Sequence, residues 1–314
     1  MYGISVSAPG KLFLSGEYAV LEGAEAVISS VGRRVTATTV RDNIPQSKLL
    51  KDVRDAVAQF LYYRTGANAG QLPNIEIDSR GFSVGNHKLG IGSSAAVSAS
   101  ATGALFEWAG LTINDHRDTI CQVATDAHRT YQNGSGSGAD VATSVYGGTI
   151  IFSHNQPVIQ STVSQIRKVF IWTGKSASTV SLMEEVRALK LRQPEVYASE
   201  MGRLVTLAHQ LAHEFCCGGA PKLIALTRQY GDALLALGTA AHIDIVTEQM
   251  KSIATVATAC DGASKPSGAG GGDAVVALFE NSADANRFVS IMHQQNLEVL
   301  DFDTHVAGLR REDV

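Results

Sequence analysis

Cysteine is scarce in this sequence. The 314 residues contain only Cys121, Cys216, Cys217 and Cys260. None of the four stands in a C-x-x-C pair, and so few cysteines in a chain of this length do not suggest a disulfide framework. We therefore expect reduced thiols.

An excess of charge and a long apolar run are also lacking. The formal net charge is −4 and the pI is near 6.1, with basic residues scattered along the chain. Nucleic acids and acidic membrane surfaces require clustered basic residues, so neither partner is expected. No apolar stretch approaches the roughly 18 residues of a transmembrane helix, and no basic segment followed by an apolar one opens the chain. The sequence predicts a cytoplasmic protein, monomeric or homodimeric, that acts on a small molecule.

Two common nucleotide motifs are missing, but three other glycine-rich stretches are present. Neither G-x-x-x-x-G-K-[ST] nor G-x-G-x-x-G in a strand-to-helix context occurs. The stretches that do occur are S-A-P-G-K-L-F-L-S-G-E-Y-A-V-L-E-G from Ser7, K-L-G-I-G-S-S-A-A-V from Lys88 and K-P-S-G-A-G-G-G-D from Lys265. Glycine lets backbone N–H groups approach an anion, and a helix that starts after such a loop adds its positive dipole end. Three such loops indicate a substrate rich in phosphate.

Hydrophobic spacing predicts an α+β protein of two domains. The length matches two units of about 150 residues each. A polar, weakly patterned stretch after residue 152 places the boundary near 160, giving domains 1–160 and 161–314. Alternation and composition predict strands over 3–8, 11–15, 31–40, 149–152, 168–172, 274–279 and 297–302. Helical spacing predicts helices over 48–63, 93–108, 179–190, 197–216, 221–237, 244–260 and 283–294.

The central glycine-rich stretch has the composition of a phosphate loop followed by a helix. Gly90 and Gly92 free the backbone, and Ser93 and Ser94 have the chemistry of a helix N-cap. A triphosphate would sit on that helix end, and one hydroxyl could coordinate Mg²⁺, a hard cation that prefers oxygen ligands. We assign Ser94 to the metal. Taken alone, the segment also fits a plain strand-to-helix turn with a serine cap.

Together and in this order, the three stretches resemble the GHMP kinase superfamily, which includes galactokinases, homoserine kinases, mevalonate kinases and phosphomevalonate kinases. The motifs that carry the resemblance are P-G-K-x-x-L-x-G-E-x-A-V, G-I-G-S-S-A-A and S-G-A-G-G-G-D, and it covers the chain from Ser7 to Leu278. It implies a two-domain α+β fold in which ATP and substrate bind in the cleft between the N- and C-terminal halves.

Within the superfamily, four details resemble the phosphomevalonate kinases. They are Lys88 before the central loop, W-T-G-K-S-A-S-T at 172–179, Ser267 with Asp273 in the last motif, and G-S-G-A-D-V-A at 136–142. The resemblance implies an ATP- and Mg²⁺-dependent kinase that converts 5-phosphomevalonate to 5-diphosphomevalonate in the mevalonate route to isoprenoids. The alternatives are a mevalonate kinase or another small-molecule kinase of the superfamily, a non-catalytic ligand-binding protein, and a diphosphomevalonate decarboxylase.

The resemblance also implies roles for particular residues. Asp140 matches the catalytic aspartate that orients the acceptor, and Lys11 and Lys88 would neutralise charge on the transferring group. The ATP-binding set is Lys88, Leu89, Gly90, Ile91, Gly92, Ser93, Ser94 and Ala95. The substrate-binding set is Ser15, Glu17, Tyr18, Ser137, Ser178, Thr179, Ser267, Gly268, Ala269 and Gly270.

Arg129 and Lys175 are further candidates, as partners of a substrate phosphate or carboxylate. One departure concerns the metal. Mevalonate kinases carry a Mg²⁺-binding glutamate upstream of S-G-x-D, whereas this chain reads D-A-H-R-T-Y-Q from Asp126, with His128 or Arg129 at that place. We therefore assign no acidic ligand; Asp126 could substitute, or Ser94, phosphates and water could hold the ion.

A helical segment also imitates a zinc-binding face. His209, His213 and Cys216 are spaced i, i+4 and i+7, and H-Q-L-A-H resembles H-E-x-x-H with glutamine in place of the essential glutamate. A helix that buries one stripe can carry such residues for packing alone. We expect a structural role for these three residues.

Overall fold

A computed structural model describes residues 3–65, 72–84, 87–134, 136–154, 159–160, 166–301 and 303–313. In this part of the chain, two antiparallel sheets each carry a set of helices, and a two-stranded hairpin pairs with neither sheet. The predicted α+β class is confirmed. Within the same residues, none of the helices combines the length and the apolar character that crossing a bilayer requires.

Two long strands form the base of the first sheet. Its members are β1 (Ser5–Ser15), β2 (Ala26–Val40), β3 (Asn74–Asp78), β6 (Thr149–Phe152), β7 (Ile159–Gln160) and β12 (Arg310–Glu312). Their order is β12-β1-β2-β6-β7. In addition, β3 pairs with residues Thr36 to Val40 of β2. The separate hairpin consists of β4 (Ser83–Val84) and β5 (His87–Lys88).

The first strand corrects one prediction. The sequence predicts two strands, 3–8 and 11–15, but the structure has one, because the break at Pro9 and Gly10 is a register shift and not an end. Pro9 pairs with Arg34 and Gly10 with Val31, so two extra residues of β2, 32 and 33, have no partner on β1 at this point. Such an irregularity bends a strand without ending it.

Four helices cover the first sheet: α1 (Lys48–Thr65), α2 (Ser93–Trp108), α3 (Ile113–Tyr131) and α4 (Ala139–Tyr146). Helix α2 contacts β1 and β2 on one side and α1 and α3 on the other. Its small residues are buried almost all round, as expected for a helix enclosed by other elements. The sequence predicts α1 and α2 but identifies neither α3 nor α4.

The second sheet has the order β11-β8-β10-β9. Its strands are β8 (Arg167–Trp172), β9 (Ala263–Ser267), β10 (Ala274–Phe279) and β11 (Glu298–Leu300). All six residues of β10 are buried, since α7, α8 and α9 pack on this strand. The helices are α5 (Thr179–Arg192), α6 (Pro194–Cys217), α7 (Ala220–Ala241), α8 (Glu248–Ala259) and α9 (Ser282–Gln294).

The predicted elements of the second half are all present, with shifted ends. Helix α8 begins four residues later than predicted, because the Thr247 side chain accepts the N–H of Met250 at 3.3 Å and caps the helix there. The predicted strand 297–302 corresponds to β11, and its last residue lies outside the described residues.

The chain returns to the first sheet at its end. Residues Val31 and Thr304 form a bridge, as do Gly147 and Ala307, before β12 pairs with β1. The division into 1–160 and 161–314 stays a prediction. By sheet membership, 304–312 packs with the first of these units.

Arg34 binds the final segment, 304–312, to the first sheet. Its guanidinium donates to the carbonyls of Ser7 (2.8 Å), Ala307 (2.8 Å) and Gly308 (2.7 Å), and its Nε donates to the Ser7 hydroxyl at 2.7 Å. The planar fork of arginine supplies several donors from one side chain. Arg34 therefore satisfies carbonyls on both β1 and the final segment.

We expect Arg34→Met to lower the free energy of unfolding by about 2 kcal/mol, since several carbonyls lose a charged hydrogen-bond donor. Urea denaturation measures the change. Arg34→Lys is the matched control, because it keeps the charge but cannot reach all the acceptors, and an intermediate loss is expected. Equal stability of Arg34→Met and the unsubstituted protein would contradict this role.

A buried ion pair joins the two sheets. Lys265 on β9 bonds to Glu17, just after β1, and their side chains are 0% and 1% exposed. The ammonium also donates to the Pro266 carbonyl at 2.9 Å, and the Tyr230 hydroxyl donates to the Glu17 carbonyl at 2.8 Å. Burial lowers the pKa of Lys265, and the charge of Glu17 opposes that shift. Each ion thus depends on the other for compensation.

Removing one member of this pair leaves the other as a buried charge without an oppositely charged partner. We expect Lys265→Met to cost about 3–5 kcal/mol in the free energy of unfolding. The double variant Glu17→Gln/Lys265→Met leaves no buried ion, so most of that loss should be regained. Denaturant unfolding of both variants tests this, and a double variant no more stable than the single one would refute the pairing argument.

Candidate active site

A cleft of about 1050 Å³ brings the three glycine-rich stretches together. Lys11 comes from β1 in the first sheet, Gly90 and Gly92 come from the loop before α2, and Gly268 follows β9 in the second sheet. Stretches separated by up to about 250 positions in the chain therefore line one space between the two halves.

The central loop is held open by glycine at two positions. Gly90 (φ +69°) and Gly92 (φ +79°) lie in the left-handed region. A Cβ on Gly90 would lie 2.4 Å from Cγ of Asp273, and one on Gly92 would lie 2.7 Å from Cε of Lys11. Glycine thus lets this loop approach two charged side chains of the cleft.

The start of α2 differs from the expected serine cap. Gly92 is the N-cap, and Ser93 and Ser94 are the first two helical residues. Their backbone N–H groups have no partner within the helix, as in any first turn, and they lie at the cleft wall. Backbone donors and two hydroxyls therefore meet at this helix end, which is the arrangement of an anion-binding site.

The predicted ATP-binding residues divide into two groups. Lys88, Gly90, Ile91, Gly92, Ser93 and Ser94 line the cleft. Leu89 and Ala95 do not line it, and their side chains are buried, at 1% and 0% exposure. Only the backbone of these two could face a ligand.

All three predicted catalytic residues line the cleft. Lys11 lies on β1, Lys88 ends β5, and Asp140 is the second residue of α4. One carboxylate oxygen of Asp140 accepts the N–H of Val141 at 3.0 Å, and the Lys11 ammonium lies 4.9 Å from the ring centre of Phe13. The cleft therefore contains two cations beside a carboxylate on a helix N-terminus.

Most predicted substrate residues also line the cleft. These are Glu17, Tyr18, Ser137, Ser178, Thr179, Ser267, Gly268 and Ala269. Glu17 is held by Lys265, and the Tyr18 hydroxyl donates to the Ala269 carbonyl at 2.6 Å. Burial raises the pKa of Tyr18, so this phenol stays protonated and donates.

Two predicted substrate residues lie elsewhere. Ser15 is fully buried, and its hydroxyl finds no hydrogen-bond partner among the described residues. Gly270 packs on the backbone of Ile245, where a Cβ would come within 2.2 Å of the Ile245 carbonyl oxygen. Gly270 therefore serves the turn, and its place in the motif gave no sign of this.

The additional candidates lie around the cleft and not on its wall. The Arg129 guanidinium donates to the Ser137 carbonyl at 2.9 Å and so braces the loop before Asp140. Lys175 is exposed, and its carbonyl accepts the N–H of Asp273 at 2.7 Å. Asp126 accepts from the Gln122 amide at 3.1 Å on the surface of α3.

Sequence analysis gave Asp273 no role in the site, although it is the last residue of the third motif. Its carboxyl lies against Gly90, and it accepts the N–H of Ala177 at 3.4 Å. Burial raises the pKa of Asp273, while the Ala177 bond and the charge of Lys11 act in the opposite direction. Asp273 thus connects the central loop with the 173–179 loop.

An apolar arm of the cleft was also missed. Its walls come from the loop before α1, the start of α1, β3, the turn at 80–82, α2 and the end of α3. The residues are Ile44, Pro45, Leu49, Leu50, Ile75, Ile77, Phe82, Val97 and Tyr131. This arm adds apolar surface to the cleft that also contains the central loop.

The two histidines of the segment that resembles a zinc-binding helix, His209 and His213, have carboxylate partners. His209 bonds to Glu25, and Nδ1 of His213 lies 3.5 Å from Glu214. The two rings therefore face different carboxylates and do not converge on one point. In the part of the chain that the structure describes, no group of three or more potential metal-binding His, Cys, Asp and Glu side chains occurs.

The oxygen donors of the cleft suit a hard cation. The Ser94 hydroxyl and the Asp140 carboxylate both line the wall near the central loop. Mg²⁺ is bound by few protein oxygens together with phosphate oxygens and water. The residues present therefore fit a magnesium–nucleotide complex.

Comparison with known proteins supports the same grouping. The model of the GHMP kinase N-terminal domain matches residues 52–148, and that of the GHMP kinase C-terminal domain matches 238–298. A phosphomevalonate kinase of Streptomyces sp. (strain CL190) is 25% identical, over 92% of each chain. A mevalonate kinase of Archaeoglobus fulgidus is 28% identical, over 90% of this chain and 95% of the relative.

A solved structure shares the whole fold. The Streptococcus pneumoniae phosphomevalonate kinase, in complex with phosphomevalonate and AMPPNP, superposes with a TM-score of 0.82 at 18% identity, covering 96% of this chain and 99% of that one. The expected two-domain fold is thereby confirmed. With both domain models matched on either side of one cleft, the protein belongs to the GHMP kinases, an ATP-dependent kinase family.

Proposed function

We propose that this protein is a phosphomevalonate kinase. It would transfer the γ-phosphoryl group of ATP to 5-phosphomevalonate, giving 5-diphosphomevalonate and ADP, in the mevalonate pathway. The observation that carries the proposal is that Lys11, Lys88 and Asp140 line one cleft with all three glycine-rich loops. Relatives named phosphomevalonate kinase, from Streptomyces and from Saccharolobus solfataricus, support the choice of acceptor.

The nucleotide would occupy the side of the cleft formed by the first half. The loop 88–92 and the start of α2 offer backbone donors to the triphosphate. The apolar arm beside it would take the base, since ligand pockets combine apolar walls with a few polar groups. Tyr131 and Val97 contribute to this arm from α3 and α2.

The acceptor would occupy the side formed by the second half. There α5 begins at Thr179 with Ser178 as its N-cap, and both line the cleft. The Ser178 side chain accepts the N–H of Ser181 at 3.3 Å, so its proton is left to donate to a ligand. A helix N-terminus with two hydroxyls favours an anion, which agrees with an acceptor that already carries a phosphate.

Phosphoryl transfer requires an in-line nucleophile and neutralised charge on the moving group. In this proposal Asp140 orients the acceptor, and Lys11 and Lys88 neutralise the oxygens between donor and acceptor. Because a phosphate oxygen is already acidic, proton removal contributes less than it would for an alcohol. Mg²⁺, when bound through Ser94 and the phosphates, adds further charge neutralisation.

The principal alternative is a mevalonate kinase. It is favoured by the Archaeoglobus fulgidus relative, whose identity to this chain is 28%. A non-catalytic binding protein has no need of Lys11, Ser94 and Asp140 together, and a decarboxylase does not normally carry P-G-K-x-x-L-x-G-E. The cytoplasmic location and the monomeric or homodimeric state stay predictions.

The acceptor is tested by measuring ADP release with ATP and Mg²⁺ in the presence of mevalonate, 5-phosphomevalonate, homoserine or galactose. Turnover with 5-phosphomevalonate alone is expected. Turnover with mevalonate instead would keep the family and change the acceptor. If no ADP is released with any of the four acceptors, the proposal is refuted and a binding protein or another acceptor is favoured.

The roles of the charged residues predict the ranking of two variants. Lys11→Met and Asp140→Asn should each lower kcat by more than about tenfold, corresponding to about 1.4 kcal/mol in the barrier. Lys11→Met should have the larger effect, because charge neutralisation outweighs base catalysis for a phosphate acceptor. Lys175→Met is the matched control, since this exposed lysine does not line the cleft. A smaller fall for both variants than for the control would contradict the assigned roles.

A further inference from the structure

The Ser94 hydroxyl has a buried partner behind the cleft wall. Nε2 of His128 lies 2.9 Å from Oγ of Ser94, which is hydrogen-bonding distance. Ser94 lines the cleft at the start of α2, whereas His128, in the last turn of α3, is only 2% exposed. The histidine therefore lies behind the serine and does not line the cleft itself.

The position of His128 is fixed by the packing of two helices. One turn later in α2 and one turn earlier in α3, the Ser98 hydroxyl donates to the Ala124 carbonyl at 2.8 Å. The imidazole also stacks on Tyr131, with 6.4 Å between ring centres and 29° between planes. Since Ser94 and Ser98, and likewise Ala124 and His128, are four residues apart, the two bonds set one register between α2 and α3. The Ser94–His128 contact thus exists without a ligand.

The direction of this hydrogen bond decides what Ser94 can offer to a ligand. A hydroxyl has one proton and two lone pairs. If Nε2 of the imidazole accepts a hydrogen bond from the hydroxyl, the lone pairs of Oγ are free for a cation. If Nε2–H donates instead, the serine proton is free for a phosphate oxygen. The two arrangements differ in the tautomer of one ring.

We propose that His128 is a positioning residue whose Nε2 accepts a hydrogen bond from the Ser94 hydroxyl and thereby directs the serine lone pairs toward the magnesium ion of a bound Mg²⁺–nucleotide. The inference rests on the proposed nucleotide site and not on the identity of the acceptor. Histidine performs here, on a hydroxyl ligand, the orienting task that hydrogen-bonded neighbours of metal ligands commonly perform.

The test compares His128→Gln with His128→Asn. The glutamine amide oxygen can reach the place of Nε2, whereas asparagine is one methylene shorter and cannot. Isothermal titration calorimetry with AMPPNP is run once with Mg²⁺ and once with EDTA. We expect His128→Asn to weaken binding of Mg²⁺–AMPPNP by about 10–100-fold, as is usual when the partner of a metal ligand is lost. The affinity for AMPPNP in EDTA should change less than about twofold, because His128 does not line the cleft. His128→Gln should regain most of the affinity for Mg²⁺–AMPPNP.

Two controls separate positioning from packing. Ser98→Ala removes the neighbouring bond between α2 and α3 without touching the cleft, so it should lower stability and leave the magnesium dependence unchanged. In a Ser94→Ala background, His128→Asn should have no further effect on Mg²⁺–AMPPNP affinity. Because the titration contains no acceptor, its result is independent of the proposed reaction.

Three results would overturn the inference. They are equal losses of affinity with and without Mg²⁺, a His128→Asn effect that persists beside Ser94→Ala, and a His128→Gln variant as weak as His128→Asn. If His128→Asn does not fold, His128→Leu takes its place in the same titration, because leucine fills the buried space and accepts no hydrogen bond. A loss of affinity confined to Mg²⁺–AMPPNP then supports the inference, and equal affinity losses with and without Mg²⁺, or no loss, refute it.

Discussion

The cleft of this protein depends on one buried ion pair. Glu17 follows the first strand of the first sheet, Lys265 lies on the edge strand of the second, and neither side chain reaches solvent. A charge removed from water is tolerated only with a close partner and further hydrogen bonds. The Pro266 carbonyl supplies one such bond, and Tyr18 and Ser267 add links from the first stretch to the third. These contacts join the two walls of the cleft.

Close backbone approach is the second constraint. At Gly90 and Gly92 a side chain would collide with Asp273 and Lys11, so the loop can lie between charged groups from both halves only because these residues are glycine. Asp273 extends the contact, since its backbone N–H donates to the Lys175 carbonyl and holds the 173–179 loop. The positive φ angles of Gly90 and Gly92 belong to the same loop geometry that leaves backbone N–H groups at the start of α2 facing the cleft.

The charges that line the cleft agree with the chemistry proposed for it. Lys11 and Lys88 face Asp140 and Asp273, so the wall is mixed and not uniformly basic. A mixed wall suits the proposed reaction, in which two phosphorylated molecules and a divalent cation would meet in the cleft. Ser94 lies on the cleft wall at the start of α2, and His128 lies behind it. The positioning of one hydroxyl thus depends on how α2 packs against α3.

The sequence by itself predicted the fold class and, among the described residues, seven of the nine α-helices and six of the twelve strands. Glycine patterns and hydrophobic periodicity are local signals that predicted the central loop and the helices, whereas the resemblance to the GHMP kinases implied the roles of Lys11, Lys88 and Asp140. Only the tertiary structure decided which of these residues face the cleft: Ser15 and Gly270 turn away, and Asp273 enters. It also decided that His128 bonds to Ser94, that Glu17 pairs with Lys265, and that the last strand returns to the first sheet. Each of these contacts joins residues 34 to 307 positions apart, and no local pattern specifies such a pairing because burial and packing against other elements select it.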